Sequence, residues 1–204
     1  LKAMAYSTTP GKEQVIYQTY LDAEKADTSL ENKIDILEDG AKFLGTKGMY
    51  QLQGDLYAKL LEIKPGDRVT INDYFNAGYA LYSAKQYENS WKLFDQMRTK
   101  HADKNYGYLW TFLNSSIYDS AYTKNISVPD AEKYLAFSKT DAAADKNYIY
   151  RAAMYLAVYY ANVAKDNAKA VENFQIAHDA ATDPNAKAQI QSYIDMLKPK
   201  GGGK

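Results

Sequence analysis

The stretch that decides the fold is Asp73–Met97, which reads DYFNAGYALYSAKQYENSWKLFDQM. In its first part, large and small side chains recur three or four positions apart, at Tyr74, Ala77, Gly78 and Leu81. The same spacing returns after residues 83–86, at Tyr87, Ser90, Phe94 and Met97. Residues three and four apart share one face of an α-helix, so this stretch predicts a helix, a tight turn and a second helix.

The pattern recurs along the chain. An upstream copy consists of Leu37, Ala41, Leu44, Gly48, Tyr50, Tyr57, Leu60 and Pro65. A downstream copy consists of Val158, Ala161, Ala170, Phe174, Ala177 and Pro184, and weaker copies surround Tyr20 and Leu135. The large residue of the second helix stands at Tyr20, Tyr57, Phe94, Leu135 and Phe174, in steps of 37, 37, 41 and 39 residues. Such a period is the sequence signature of a repeat protein.

The order of these residues resembles the tetratricopeptide repeat, which has an aromatic, Leu-Gly and Tyr in its first helix and Ala, Phe and Ala in its second. The resemblance covers nearly the whole chain and is strongest over residues 34–100. It implies an all-α, right-handed superhelix of antiparallel helix pairs, with about ten helices in a single domain over residues 1–200. The expected repeats are 12–28, 34–67, 71–103, 105–140 and 146–182, followed by a capping helix at 185–197 and a flexible tail at 201–204.

The sequence departs from the family pattern at several positions. Gln53 and Ser90 stand where the family prefers alanine, Phe112 stands where it prefers glycine, and Asp119–Val128 lengthens one turn between helices. Helix starts are predicted at Thr70 and Ser127, each followed three residues later by an aspartate, and at Asp183, which precedes a proline. The inter-helix turn of the upstream copy is assigned to Gly48.

Tyrosine is unusually frequent, with 20 among 204 residues. One group occupies motif positions that the family fills with large core residues: Tyr20, Tyr50, Tyr57, Tyr74 and Tyr87. Between paired helices, Gly78 and Ser90 are expected to allow close approach while Leu81, Phe94 and Met97 fill the core. Most tyrosines are therefore interpreted as structural.

A second aromatic group follows from the resemblance, which implies that other first-helix positions face a concave groove. Counting from Tyr74, these are Phe75, Asn76, Tyr79 and Tyr82, and counting from Met154 they are Tyr155, Leu156, Tyr159 and Asn162. The intervening repeat contributes Leu109, Trp110, Leu113 and Ser116, and the upstream repeat contributes Glu38, Asp39, Lys42 and Gly45. The predicted partner-binding residues are Phe75, Asn76, Tyr79, Tyr82, Tyr155, Tyr159 and Asn162. The alternative is that neighbouring helices or the inserted loop cover these rings, and for Trp110 and Leu113 this structural interpretation is favoured.

Charge and composition limit the classes of partner. The 25 basic and 25 acidic side chains balance and are mixed along the chain, which disfavours nucleic-acid binding. No apolar stretch is long enough to span a bilayer, so a soluble chain is predicted. The chain begins at Leu1, which suggests a processed or trimmed fragment. The compartment stays open, and removal of a signal peptide would place the protein in a bacterial periplasm or cell envelope.

The sequence contains no recognisable catalytic constellation. Its two histidines, His101 and His178, lack partners at ligand or triad spacing, and cysteine is absent. Glycines around Gly45 match no phosphate-binding loop. Asn125 begins a formal glycosylation sequon, which says only that its loop is exposed. We therefore expect no catalytic residue, cofactor or metal.

The leading hypothesis is a non-catalytic scaffold that binds a protein or peptide segment in the concave groove. One alternative is a structural or assembly arm of a larger envelope-associated protein, which would favour a homodimer through its end helices. A second alternative is a glycan-acting enzyme built as a helical toroid, which the repeat period and the lack of a paired-acid signature disfavour.

Overall fold

The computed structural model describes residues 11–198. These residues form ten α-helices and no strand. The helices are α1 (Glu13–Ala26), α2 (Leu30–Thr46), α3 (Tyr50–Ile63), α4 (Ile71–Ser83), α5 (Tyr87–Lys100), α6 (Asn105–Tyr118), α7 (Ser127–Ser138), α8 (Lys146–Asn162), α9 (Asn167–Ala180) and α10 (Pro184–Leu197). The predicted all-α class is confirmed, while the predicted tail at 201–204 lies outside the described residues.

The chain divides into two compact units, with unit 1 ending at His101 and unit 2 beginning at Ala102. Within each unit, helices that follow one another along the chain pack together. The division falls inside the predicted repeat 71–103, two residues before its end. The grouping of all repeats into a single domain stays a prediction.

Tight turns join the helix pairs through the same backbone conformation. Gly48, Lys85 and Lys165 have φ of 71°, 61° and 55°, and they stand between α2 and α3, α4 and α5, and α8 and α9. A residue in the left-handed conformation can end a helix while carbonyl groups of the last turn still accept hydrogen bonds. The Met49 and Gln86 amides accordingly donate to the Leu44 and Leu81 carbonyl oxygens, at 3.0 and 2.8 Å. The turn assigned to Gly48 is confirmed.

Side-chain caps begin half of the helices. Thr70 and Asp73 form a reciprocal capping box at α4, and Ser29, Asp145, Asp166 and Asp183 each accept a hydrogen bond from a first-turn amide. Asp73 also accepts from Lys64 Nζ at 2.9 Å. Burial alone would raise the Asp73 pKa, but the bonds from Thr70 and Lys64 hold it below its ordinary value. The predicted cap at Ser127 is wrong, because Ser127 is the first helical residue and its hydroxyl donates to Asp119.

The core between α4 and α5 matches the prediction made from Asp73–Met97. Phe94, Met97 and Ser90 are fully buried, and Leu81 is nearly so. The Phe94 ring lies so close to the α4 backbone that a Cβ added at Gly78 would lie 2.7 Å from Phe94 Cε1. The Ser90 hydroxyl donates to the Gly78 carbonyl oxygen at 2.8 Å, which explains how serine is accommodated in place of alanine.

Unit 2 builds its core around a large residue where the family prefers glycine. Phe112 is fully buried and stacks on Tyr134, with ring centroids 6.0 Å apart and planes 11° from parallel. The facing second-helix position is Leu135 instead of an aromatic residue. Unit 2 thus has a buried phenyl ring on the first helix of the pair, α6, whereas unit 1 has one on the second, α5.

The motif tyrosines divide between core and surface. Tyr57 is buried, and Tyr20, Tyr74 and Tyr87 are half-buried. Tyr50 is 43% exposed, so its core assignment is wrong. It is the first residue of α3, where the helix has no preceding turn for the ring to pack against.

The buried hydroxyl group of Tyr134 is expected to lower the stability of the chain. Its hydroxyl oxygen is buried with no hydrogen-bond partner among residues 11–198, and burial, with smaller effects from Asp145 and Tyr148, raises the Tyr134 pKa to about 12. An unsatisfied buried hydroxyl costs stability, so Tyr134→Phe is expected to raise the free energy of unfolding by about 1 kcal/mol in urea denaturation. Tyr160→Phe is the matched control and should lose stability, because the Tyr160 hydroxyl donates to Glu132. Equal destabilisation by both changes would show that Tyr134 has a partner.

Candidate functional site

Three aromatic rings form a row along α4 in unit 1. The Phe75 and Tyr79 centroids are 5.6 Å apart with planes 17° from parallel, and those of Tyr79 and Tyr82 are 6.4 Å apart at 18°. Tyr87 of α5 closes the row by meeting Tyr82 edge to face at 5.6 Å. We call Phe75, Tyr79 and Tyr82 the α4 aromatic row.

The position of the row follows from helix periodicity. Phe75, Tyr79 and Tyr82 are four and three residues apart and share one face, while Ala77, Gly78 and Leu81 face the core. Phe75 is half-buried and its ring centroid lies 6.4 Å from that of the buried Phe94, so the row is anchored on the core. Tyr79 is 46% exposed, and Asn76 is exposed one turn before it.

The predicted binding residues of unit 2 lie on α8, where they differ in burial and in the rings that they contact. Tyr155 is half-buried and meets Phe112 edge to face at 5.7 Å, and burial strongly raises the pKa of its phenol. Tyr159 is half-buried, and Asn162 is the exposed last residue of α8. The ring of Tyr122, from the inserted loop, packs on both Tyr155 and Tyr159 at 5.5 and 5.0 Å. The inserted loop thus partly covers these two rings.

The buried face of α8 begins one residue earlier than the alignment from Met154 implies. Ala157 and Tyr160 are buried, whereas Val158, which was aligned with Gly78, is 41% exposed. Aligning Ala157 with Gly78 makes Met154, Tyr155, Val158 and Ala161 the counterparts of Phe75, Asn76, Tyr79 and Tyr82. Sequence reasoning missed Met154 and Val158. The adjacent small residues Ala152 and Ala153, one turn before the buried Leu156 and Ala157, were the signal for this register.

An open pocket of about 380 Å³ lies beside this face of α8. Phe112 and Ile117 of α6, Met154, Tyr155 and Val158 of α8, and Tyr122 of the inserted loop supply its apolar lining. Arg151 lies at the same pocket and is exposed. We call this cavity the unit 2 pocket. Ligand pockets are mostly apolar with a few polar groups that fix orientation, and this cavity has that composition.

The inserted loop is held by one carboxylate. Asp119, almost fully buried, accepts hydrogen bonds from the backbone amides of Lys124, Ile126 and Ser127 at 2.8, 3.1 and 3.2 Å, and from the Ser127 hydroxyl at 3.0 Å. Burial acts to raise the Asp119 pKa, but these bonds stabilise the anion and lower it overall. Tyr122 within the loop adopts φ of 59°, a left-handed conformation that costs about 1–3 kcal/mol for a residue other than glycine.

The remaining predicted groove positions differ in burial. Leu113 belongs to the core of unit 2, which fits the structural interpretation, and Leu109, Trp110 and Ser116 are half-buried. In unit 1, Lys42 Nζ lies 3.3 Å from Glu38 Oε2 as an exposed ion pair. An added Cβ at Gly45 would collide with the side-chain amide of Gln53, so this glycine makes room for the glutamine that replaces the family's alanine.

The two histidines belong to different units. His178 Nδ1 lies 3.3 Å from Asp179 Oδ1, and the His101 ring meets Tyr74 edge to face at 6.1 Å. Among residues 11–198, no three side chains of His, Cys, Asp and Glu gather into a group that could hold a metal ion. Over the same range, no helix combines the length and the apolar character needed to cross a bilayer.

Comparison with solved structures identifies the fold of the chain. No family model matches the sequence, and no curated protein matches it either. The C-terminal part of a TPR repeat-containing protein from Cytophaga hutchinsonii has a TM-score of 0.64 at 21% identity, over 93% of this chain and 68% of that chain. MamA has a TM-score of 0.55 at 16% identity, over 89% of this chain and 94% of its own. A double mutant of MamA has a TM-score of 0.53 at 16% identity, over 83% and 85%. The chain therefore has the fold of tetratricopeptide-repeat proteins, as its sequence pattern predicts.

Proposed function

We propose that the chain is a non-catalytic scaffold that binds a protein or peptide segment through aromatic surfaces, one in each unit. The surface of unit 1 consists of the α4 aromatic row with Asn76. The surface of unit 2 consists of Tyr155, Tyr159 and Asn162 on α8, extended by the unit 2 pocket. The observation that carries the proposal is the row itself, in which three nearly parallel rings follow one another and the middle one, Tyr79, is 46% exposed.

Exposed aromatic rings are costly to keep in water and are enriched in recognition surfaces. Tyrosine supplies a large contact area with few rotors to freeze, and its hydroxyl can hydrogen-bond at the edge of an interface. The row is pre-organised, because Phe75 rests against the buried Phe94 and Tyr82 against Tyr87. A partner that lies on these rings would therefore order few side chains when it binds.

Asn76 gives the surface of unit 1 a means of holding a peptide backbone. Its amide carries both a donor and an acceptor, and it stands three residues before Tyr79 on an exposed part of α4. A segment that packs side chains on the rings could pair its main chain with this amide. Asn162, exposed at the end of α8, would serve the same purpose in unit 2.

Selection of peptides tests the function. A phage-displayed library of random linear peptides is selected on the wild-type chain, and selected peptides are titrated against Tyr79→Ser/Tyr82→Ser. We expect binding to weaken by about tenfold or more, because both rings leave the contact surface. The control is Tyr50→Ser, which removes a ring of similar exposure from α3 and should leave binding unchanged.

The outcomes separate the proposal from its alternatives. Unchanged binding to the double variant, with helicity and melting intact, would contradict a role for the α4 aromatic row. Failure to select any peptide, together with concentration-dependent dimerisation in light scattering, would favour the assembly arm instead.

A further inference from the structure

The unit 2 pocket contains an unpaired cation. Arg151 lies on α8 at the pocket, and its guanidinium makes no ion pair or hydrogen bond with the side chains of residues 11–198. Residues one helical turn away are Asn147, Tyr148, Met154 and Tyr155, none of which is acidic. An arginine beside an apolar cavity with no protein carboxylate near it is available to an anionic group of a ligand.

The helices around the pocket carry positive charge only. α8 contains Lys146 and Arg151 and no acidic residue, and α6 contains no charged residue at all. The nearest acid of the inserted loop is Asp119, whose carboxylate is already occupied by three amides and a hydroxyl. The surroundings of the pocket are therefore cationic although the whole chain has a formal charge of zero.

The lining of the pocket suits a large apolar side chain. Phe112 and Tyr155 meet edge to face, Val158 is partly exposed, and Met154 is a flexible side chain that adapts to its contacts. Tyr122 forms a wall that a regular repeat would lack, because it comes from the inserted loop. Asp119 fixes that loop, so the wall exists before a partner arrives.

Resting on the function proposed above, we propose that the unit 2 pocket binds a linear protein segment in which Asp or Glu lies next to a large apolar residue. The apolar side chain enters between Tyr122, Met154 and Val158, and the neighbouring carboxylate pairs with Arg151. The two charged residues of α8 are both basic, and this charge favours an acidic partner over a basic or neutral one. The inserted loop, which interrupts the repeat, is thereby part of the binding site.

The test uses the full chain with the surface of unit 1 disabled. A phage-displayed library of random linear peptides is selected on the Tyr79→Ser/Tyr82→Ser variant, so that binding depends on unit 2. We expect the selected peptides to share an acidic residue beside a large apolar one. Adding Arg151→Gln should weaken their binding about tenfold, the size of one lost charged hydrogen-bonded contact.

Two further variants locate the effect. Lys146→Gln removes the same charge from an exposed position of α8 outside the pocket and should leave binding unchanged. Tyr122→Gly removes the wall while relieving the left-handed backbone, so the chain should stay folded and bind the peptides less tightly.

Peptides that bind Arg151→Gln as well as the parent would overturn this inference, and so would a selection that yields none on the double variant. If the wild-type chain still selects peptides that need Tyr79 and Tyr82, the proposed function survives that failure. If the wild-type chain selects no peptide either, both proposals fail.

Discussion

Replacing Phe94 with alanine is expected to lower the free energy of unfolding by about 3–5 kcal/mol. The ring is fully buried and lies against Gly78, where no side chain is present to move into the space. Removing it therefore leaves a cavity between α4 and α5. Urea denaturation followed by circular dichroism measures the loss.

Tyr50→Ala is the control for this change, because it removes an exposed ring from the same unit and should cost far less. A transition that does not move in Phe94→Ala would remove Phe94 from the core. The α4 aromatic row should also lose its support, since the Phe75 ring packs against Phe94. We therefore expect Phe94→Ala to weaken peptide binding even at temperatures where the variant remains folded.

Asp119→Ala should cost about 3 kcal/mol, the upper end for hydrogen bonds to a charged group. The change leaves the amides of Lys124, Ile126 and Ser127 without their acceptor, and the Ser127 amide is in a buried residue. Asp67→Ala, at an exposed aspartate between α3 and α4, is the matched control and should be nearly neutral. Equal stability of the two variants would show that the inserted loop does not need its carboxylate.

The contribution of Asp119 should also depend on pH in a defined direction. Its pKa is lower in the folded chain than the ordinary value of about 3.9, so the folded state binds the proton less readily. The stabilisation is complete above that ordinary value and is lost as pH falls through the folded pKa. The stability difference between wild type and Asp119→Ala should therefore be full at neutral pH and shrink below about pH 4. A difference that grows on acidification would reverse the sign of this linkage.

Sequence alone predicted the parts of the fold that depend on local spacing. The pairing of Gly78 with Phe94, the turn at Gly48 and the capping box at Thr70 each follow from residues a few positions apart or from one repeat period. The residues of the α4 aromatic row were predicted from the resemblance to the tetratricopeptide repeat, and their spacing of four and three residues places them on one face of α4.

The parts that sequence reasoning missed depend on contacts across the insertion. Nothing in the local pattern places Tyr122 on Tyr155, because that contact requires a left-handed residue inside a loop anchored by Asp119. The Ser127 hydroxyl donates to the Asp119 carboxylate, so it does not form the predicted helix cap. On α8, Ala157 and Val158 are both apolar, so the motif position by itself did not distinguish the two registers, and burial shows that Ala157 faces the core.

The most direct test of the scaffold proposal is hydrogen–deuterium exchange of the wild-type chain, alone and saturated with a selected peptide. Amides that are covered or stabilised by the partner exchange more slowly. Binding through the aromatic surfaces predicts protection within α4, α8 or both, together with the loop around Tyr122. Protection confined to α1 or α10, with α4 and α8 unchanged, would contradict it.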